Sequence, residues 1–216
     1  WIMTECSRAV PVSQGMKAAF VELGLERTAF LHASDIAGNP HAEPSPTREV
    51  EPDIREFVRE GQELLVQVLK EPLGTKGARL TTYIAIPSRY LVLTPNSLGL
   101  GVSSRIDDEV ERERLRATLE AIKTESPPAG YIIRTAAEGA TREALHADVA
   151  FLHKLWQSIE EKAATTASGG LVYEDLPLPL RVLRDSSSPD IARVRVDSEA
   201  TYGKLTEFAE HFVPRL

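Results

Sequence analysis

The chain has 216 residues, 42% of them hydrophobic and 26% charged, with a formal net charge of −7. That acidity argues against a protein that coats nucleic acid indiscriminately, because such binders rely on many phosphate contacts, yet it leaves room for a small basic path. A lone cysteine, Cys6, excludes a disulfide framework or a Cys-rich zinc site within one chain, no apolar run nears the ~20 residues that span a bilayer, and a reducing, cytoplasmic setting fits best.

In chain order, Met16–Leu23 and Thr28–Leu31 read as two strands joined by a turn at Gly24–Arg27. Residues 38–52, with Pro40, Pro44, Pro46 and Pro52 among polar neighbours, read as an exposed loop, and Asp53–Arg59 can add one helical turn. Leu64–Leu69 alternates as a strand, Pro72, Gly74 and Gly77 punctuate a turn carrying Lys76, Arg79–Ile86 is a second strand, and Tyr90–Leu93 is a third run ended by Pro95. Gly-Thr-Lys-Gly is not a P-loop, since Gly-x-x-x-x-Gly-Lys-Ser/Thr is absent and no helix follows. Further on, Asp107–Lys123 is predicted as a helix with Leu115, Leu119 and Ile122 on one stripe, and Tyr131–Ala136 as a strand. Thr141–Thr165 is the longest predicted helix, capped by Thr141 and burying Leu145, Val149, Leu152, Trp156 and Ile159 on one face. Strands at Leu171–Glu174 and Arg193–Val196 and helices at Pro177–Arg184 and Ser198–Phe212 complete the reading, which is α+β with a small closed barrel first.

Several residues invite chemistry. Phe20 and Phe30 are either core aromatics or a platform on which unpaired bases stack. Lys76 is either a solvated turn lysine or a phosphate contact, and Lys70 is a second candidate for the same groove. Arg134 and Thr135 end a predicted strand, where a guanidinium fork and a hydroxyl can converge on one phosphate; the alternative is an arginine paired to a neighbouring acid. His32 and Asp35 are close in sequence, and His146 and His153 lie two helical turns apart. No Gly-x-Ser-x-Gly elbow or zinc pattern supports a triad or a metal site on them.

Gln62–Lys70, Gly74–Thr82 and Tyr90–Leu93 closely resemble the S1 domain and following segment of the ribonuclease E/G family, and Met16–Ile36, Tyr131–Ala137 and Val182–Ser198 resemble that family in the same order. The resemblance implies an OB-type S1 barrel over 1–82, a mixed α/β 5′-sensor region over 83–171 and a partial RNase-H-like subdomain over 172–216. Trp1–Val12 departs from the family's first strand, and Pro11 cannot donate to a ladder there, so that strand is expected to be a bulged edge or a divergent N-terminus. The missing half of the RNase-H-like subdomain implies that 172–216 packs differently, is loosely held or seeks a partner.

For the sites, the resemblance implies RNA contacts at Phe20, Phe30, Lys70 and Lys76. It implies a pocket for the 5′-monophosphate of RNA, in which a triphosphate fits poorly, at Arg134 and Thr135, with Val92 and Ser88 lining it; Ser88 stands where some members have Gly. The implied enzyme is an Mg²⁺-dependent endoribonuclease cutting single-stranded, A/U-rich RNA in ribosomal RNA maturation and messenger decay. Its paired catalytic aspartates, and a Zn²⁺ link between protomers of a homo-oligomer, are expected beyond Leu216, so no catalytic or metal residue is assigned in this chain. Two rivals remain: a non-catalytic S1-type RNA-binding module, and a protein-interaction module docking through 172–216.

Overall fold

In a computed structural model of the chain, residues 2–10, 18–24, 26–37, 53–74, 76–186 and 193–212 are described, with the backbone alone for 2–10, 211 and 212. Pro11, Met16, Lys17 and the proline-rich loop expected at 38–52 lie outside the described residues. The chain forms two compact units. These follow its packing, whereas the three-part division above follows the modules of the resembled family. The α+β class is as expected.

The first unit comprises 1–85, 94–97 and 156–174. Its strands are β1 (Ile2–Val10), β2 (Ala18–Glu22), β3 (Ala29–His32), β4 (Leu64–Lys70) and β5 (Arg79–Thr81), hydrogen-bonded in the order β1-β2-β3-β5-β4, with β4 pairing back on β1. That closure leaves no unpaired edge within the ring. Alternation explains the strands: Ala19, Val21, Ala29, Leu31, Val66 and Leu80 turn inward and form one core with Ala33, Ile36, Ile54 and Val58. Gln67 is also buried, and its amide is paired at both ends, donating to Ala85 O at 3.1 Å and accepting from Ala85 N at 2.9 Å. The predicted hairpin is present as β4 and β5, with Val68 opposite Leu80.

Three expectations need correction. The first strand is no edge: Met3–Cys6 pairs with β4 and Ser7–Val10 with β2, with register shifts after Met3 and Ser7. It gains a further antiparallel neighbour, the strand at Leu171–Glu174. Arg79–Ile86 is not one strand, because Thr81 Oγ1 and Thr82 N both donate to Asp35 O and Tyr83 N donates to Thr81 Oγ1, which diverts the backbone after Thr81. Residues 193–196 form no strand either. Arg193, Val194 and Arg195 are exposed, and a period of two without a neighbouring strand has nothing to pair with.

The second unit comprises 86–93, 98–155 and 175–216. Strands β6 (Ile86–Pro87), β7 (Leu91–Thr94), β8 (Leu100–Val102) and β9 (Gly130–Ile133) are ordered β6-β7-β9-β8, so the run predicted at Tyr90–Leu93 belongs to this sheet. Parallel β8 and β9 are joined through α1 (Glu109–Lys123), the crossover that parallel pairing requires. Asp108 caps α1 by accepting from Val110 N at 2.9 Å, and Leu115, Leu119 and Ile122 are buried as the periodicity predicts. Helix α2 (Arg142–Ala163) begins after Thr141, whose Oγ1 accepts from Ala144 N. With the strand at Leu171–Glu174 counted as β10, the chain ends in α3 (Leu178–Ser186) and α4 (Glu199–Phe212). Pro179 is accommodated in the first turn of α3, where its missing N–H has no helical partner to lose. Leu183, Leu205 and Phe208 close a small core there, while Leu178, Val182 and Tyr202 stay exposed.

Candidate functional site

On the first unit, cross-strand register gathers a row of outward residues. Phe20 of β2 stands opposite Phe30 of β3, Phe30 opposite Arg79 of β5, and Arg79 opposite Lys70 of β4. Their neighbours Ala19, Val21, Ala29, Leu31 and Leu80 are all buried, so the alternation that builds the core forces this row outward. Phe20 is 44% exposed, which removes the core reading for it; Phe30 is half-buried. Four candidate positions were expected here, and the structure brings three of them into the row. Lys76 sits apart on the β4–β5 turn, exposed, where Leu73 and Lys76 exchange backbone hydrogen bonds of 3.1 and 3.0 Å. The turn is pinned by Gly77, where a Cβ would meet Thr28 O at 1.9 Å.

Arg79 was not anticipated. Its guanidinium is held by Asp35, through Nε at 3.0 Å and Nη2 at 2.9 Å to the same Oδ2. The signal was available: Ala78 and Leu80 face inward, so Arg79 between them faces the aromatics. Asp35 therefore serves Arg79. Its sequence neighbour His32 is engaged separately, its Nδ1 lying 2.8 Å from Ser34 Oγ.

On the second unit, a cluster forms around Arg134, just past the end of β9. Arg134 N donates to Tyr90 O at 2.8 Å, which fixes the strand end beside the turn between β6 and β7. The Arg134 side chain reaches the same turn: Nη1 donates to Ser88 O and, at 3.2 Å, to Arg89 O. It also lies 3.6 Å from Asp185 Oδ1. Thr135 is exposed beside it, with Oγ1 3.1 Å from Ser103 Oγ. Val92 is half-buried on β7, opposite Pro87. Arg134, Thr135, Val92 and the Ser88 carbonyl thus share one sheet end. Ser88 itself is fully buried and its hydroxyl is engaged inward, so it meets Arg134 through its backbone.

The turn owes its shape to Asp148 of α2. One oxygen, Oδ2, accepts from Tyr90 N and Leu91 N, each at 3.0 Å, and lies 2.5 Å from Ser88 Oγ, which also lies 3.0 Å from Leu91 O. Burial pushes the Asp148 carboxyl up from its ordinary value, and these hydrogen bonds together with the Arg184 charge pull partly the other way. The far side is framed by α1. Arg112 Nη1 donates to Ser103 O at 2.7 Å, and Glu111 Oε1 accepts from Gly139 N at 2.8 Å. Glu111 is also bonded by Arg114, which holds its carboxyl down at about 2, with the Gly139 N–H adding to the effect. Arg89 lies over the Tyr90 ring, 4.9 Å from its centroid. Asp148, Arg89 and Asp185 were all missed by sequence reasoning.

Of the histidines whose side chains are described, His32 and His153 have hydrogen-bond partners. His153 Nε2 lies 2.6 Å from the hydroxyl of buried Tyr131. Burial lowers the His153 pKa and raises that of Tyr131 to about 12. His146 is exposed on α2. Among the described residues no three His, Cys, Asp or Glu side chains gather to hold a metal ion, and no helix is long and apolar enough to cross a membrane.

The family model described as "Ribonuclease E/G family" matches residues 85–216. "Ribonuclease G" of Salmonella typhimurium is 47% identical over 214 residues, covering 97% of this chain and 42% of the relative. "Ribonuclease G" of Haemophilus influenzae is 45% identical over 213 residues, covering 97% of this chain and 43% of that protein. "Ribonuclease E" of a Nostoc species is 39% identical over 204 residues, 93% of this chain and 28% of the relative. The chain thus spans about two-fifths of the length of the ribonuclease G relatives it matches.

Proposed function

The chain belongs to the ribonuclease E/G family, and from that membership we propose that it is the RNA-binding and 5′-end-sensing part of an endoribonuclease acting on single-stranded RNA. The observation that carries this reading is the outward row Phe20, Phe30, Arg79 and Lys70. Two aromatics stack bases of any sequence and two cations alongside meet the backbone phosphates; an unpaired strand offers both, whereas a duplex keeps its base faces stacked on one another. The closed ring β1-β2-β3-β5-β4 supports its identification as an S1 barrel of OB type. Lys76, at the tip of the β4–β5 turn, extends the path.

Arg134 and Thr135 form the second half of the reading, a pocket for the 5′-terminal phosphate. The guanidinium fork grips phosphate oxygens, the Thr135 hydroxyl adds a donor, and Val92 and the Ser88 turn line the side. A monophosphate is favoured and a triphosphate disfavoured. The RNase-H-like character of 172–216, the preference for A/U-rich RNA, the roles in ribosomal RNA maturation and messenger decay, the cytoplasmic address and the homo-oligomeric state of the full protein belong to this proposal. So do the Mg²⁺ of the cleavage step and the interprotomer Zn²⁺. The described residues offer no metal-holding set, and no step of the reading runs through one of them.

Binding of the chain to a short unstructured RNA, carrying either a 5′-monophosphate or a 5′-hydroxyl, tests both halves. Arg134→Ala should erase the preference for the phosphorylated end and leave hydroxyl-ended RNA bound as before. Phe20→Ala should weaken both RNAs by roughly five- to a hundredfold, the worth of one stacked base. An unchanged end preference in Arg134→Ala returns Arg134 to a strand-end pairing role.

A further inference from the structure

We propose that Asp185 is a specificity-determining carboxylate, whose charge penalises RNA 5′ ends that carry more than one phosphate. The inference rests on the reading of Arg134 and Thr135 as the 5′-phosphate pocket.

Asp185 lies near the end of α3, and its Oδ1 is 3.6 Å from Arg134 Nη1, the guanidinium assigned to the terminal phosphate. It is not a wandering surface acid. The adjacent Arg184, whose side chain is only 9% exposed, donates from Nε to Oδ1 at 2.8 Å and from Nη2 to Oδ2 at 3.2 Å. The third arm of that guanidinium, Nη1, donates to Pro87 O at 3.0 Å, one residue before the turn that holds Arg134. A buried arginine thus fixes the carboxylate to the strand that builds the pocket. Held there, the charge cannot swing away when a second anion approaches, as an unrestrained surface carboxylate would.

The consequence is electrostatic. A phosphate on Arg134 stands within about 7 Å of Asp185, and a single phosphate gains more from the fork than it loses to the neighbouring acid. Each further phosphate adds about one negative charge, while the two arginines nearest the turn are already engaged, Arg184 with Asp185 and Pro87 O and Arg89 over the Tyr90 ring. A further unit charge, one phosphate beyond the first and so about 10 Å from the carboxylate, is disfavoured about three- to tenfold in a half-exposed site. Shape alone can also exclude a longer end. The charge term is separable from it because it is screened by salt and removed by an isosteric amide.

The test compares binding of 5′-hydroxyl, 5′-monophosphate and 5′-triphosphate forms of one short unstructured RNA to the wild-type chain, Asp185→Asn and Asp185→Glu. In Asp185→Asn the monophosphate-over-triphosphate ratio should fall three- to tenfold, chiefly through gained triphosphate affinity, with hydroxyl-ended RNA unaffected. The fall should shrink in about 0.5 M salt, and Asp185→Glu should keep the wild-type ratio. Asp185→Ser removes the charge with a smaller side chain and serves if the amide variant does not fold. A ratio within twofold of wild type in the uncharged variants overturns the proposal. Equal loss of both phosphorylated ends also overturns it, by making Asp185 a support for Arg134. Should the wild-type chain bind all three ends alike, the reading of Arg134 and Thr135 falls first and takes this inference with it.

Discussion

Asp148 offers the sharpest test of how the Arg134 turn is held. Asp148→Ala strips the partner from two backbone N–H groups, Tyr90 and Leu91, while Ser88 Oγ keeps Leu91 O as an acceptor at 3.0 Å. A buried donor left without a partner costs about 1–3 kcal/mol. Two of them therefore cost about 2–6 kcal/mol, partly offset because a carboxylate whose pKa is raised by burial no longer has to be desolvated. A net loss of about 3 kcal/mol is expected. Asp148→Asn should behave differently: its carbonyl oxygen can accept both N–H groups without a charge to desolvate, so it should stay within about 1 kcal/mol of wild type. A folded-state pKa above the ordinary 3.8 means that the folded chain holds this proton more tightly, so Asp148 contributes stability below pH 3.8 that is lost as pH rises through its folded value. Urea unfolding followed by circular dichroism reads all of these. An alanine variant within 1 kcal/mol of wild type, or an asparagine variant as damaged as alanine, would refute the reasoning.

Two further outcomes follow from the packing. Gly77→Ala places a methyl 1.9 Å from Thr28 O and should cost about 3 kcal/mol, whereas Gly74→Ala, with φ +59 and open space around its Cβ, should cost about 1 kcal/mol of backbone strain; equal losses in urea unfolding would dismiss the Thr28 contact. His153 has its pKa lowered by burial from the ordinary 6.5, so the unfolded chain takes up that proton first and stability drains as pH falls below 6.5. Thermal melts at pH 7.5 and 5.5 should show a smaller acid-side drop in His153→Gln than in wild type, and parallel drops would contradict this.

Most strands and helices were legible because alternation and helical stripes are written locally. What was not legible is where each strand finds its neighbour. Nothing near Leu171–Glu174 announces that it pairs with Ile2–Thr4, some 170 residues away, and nothing in Tyr90–Leu93 says that it leaves the β4–β5 hairpin for a second sheet. The Arg193–Val196 alternation misled for the same reason, since a period of two needs a partner that composition cannot supply. At the candidate sites Phe20, Phe30, Lys70, Arg134 and Thr135 were readable, whereas Arg79, Arg89 and the acids Asp148 and Asp185 were not.

Some of the unread charges did leave a trace. Asp148 falls on the inward stripe of α2 between Leu145 and Leu152, and Arg184 follows buried Leu183 on α3; a charged residue on an apolar stripe has to be paired, and each is. Asp35 holds Arg79, Asp185 stands against Arg134, and Asp148 shapes the turn that receives Arg134. Under the proposed RNA-binding reading, this gives a physical reason why a chain of net charge −7 could meet a polyanion. Asp148, bonded to backbone N–H groups, and Asp35, bonded to Arg79, spend their charge locally and fix the groups they hold in place. An arginine held in this way loses less side-chain freedom when a phosphate arrives than one on an open basic surface. Acidic composition and phosphate recognition therefore conflict only when the acids are counted and not located.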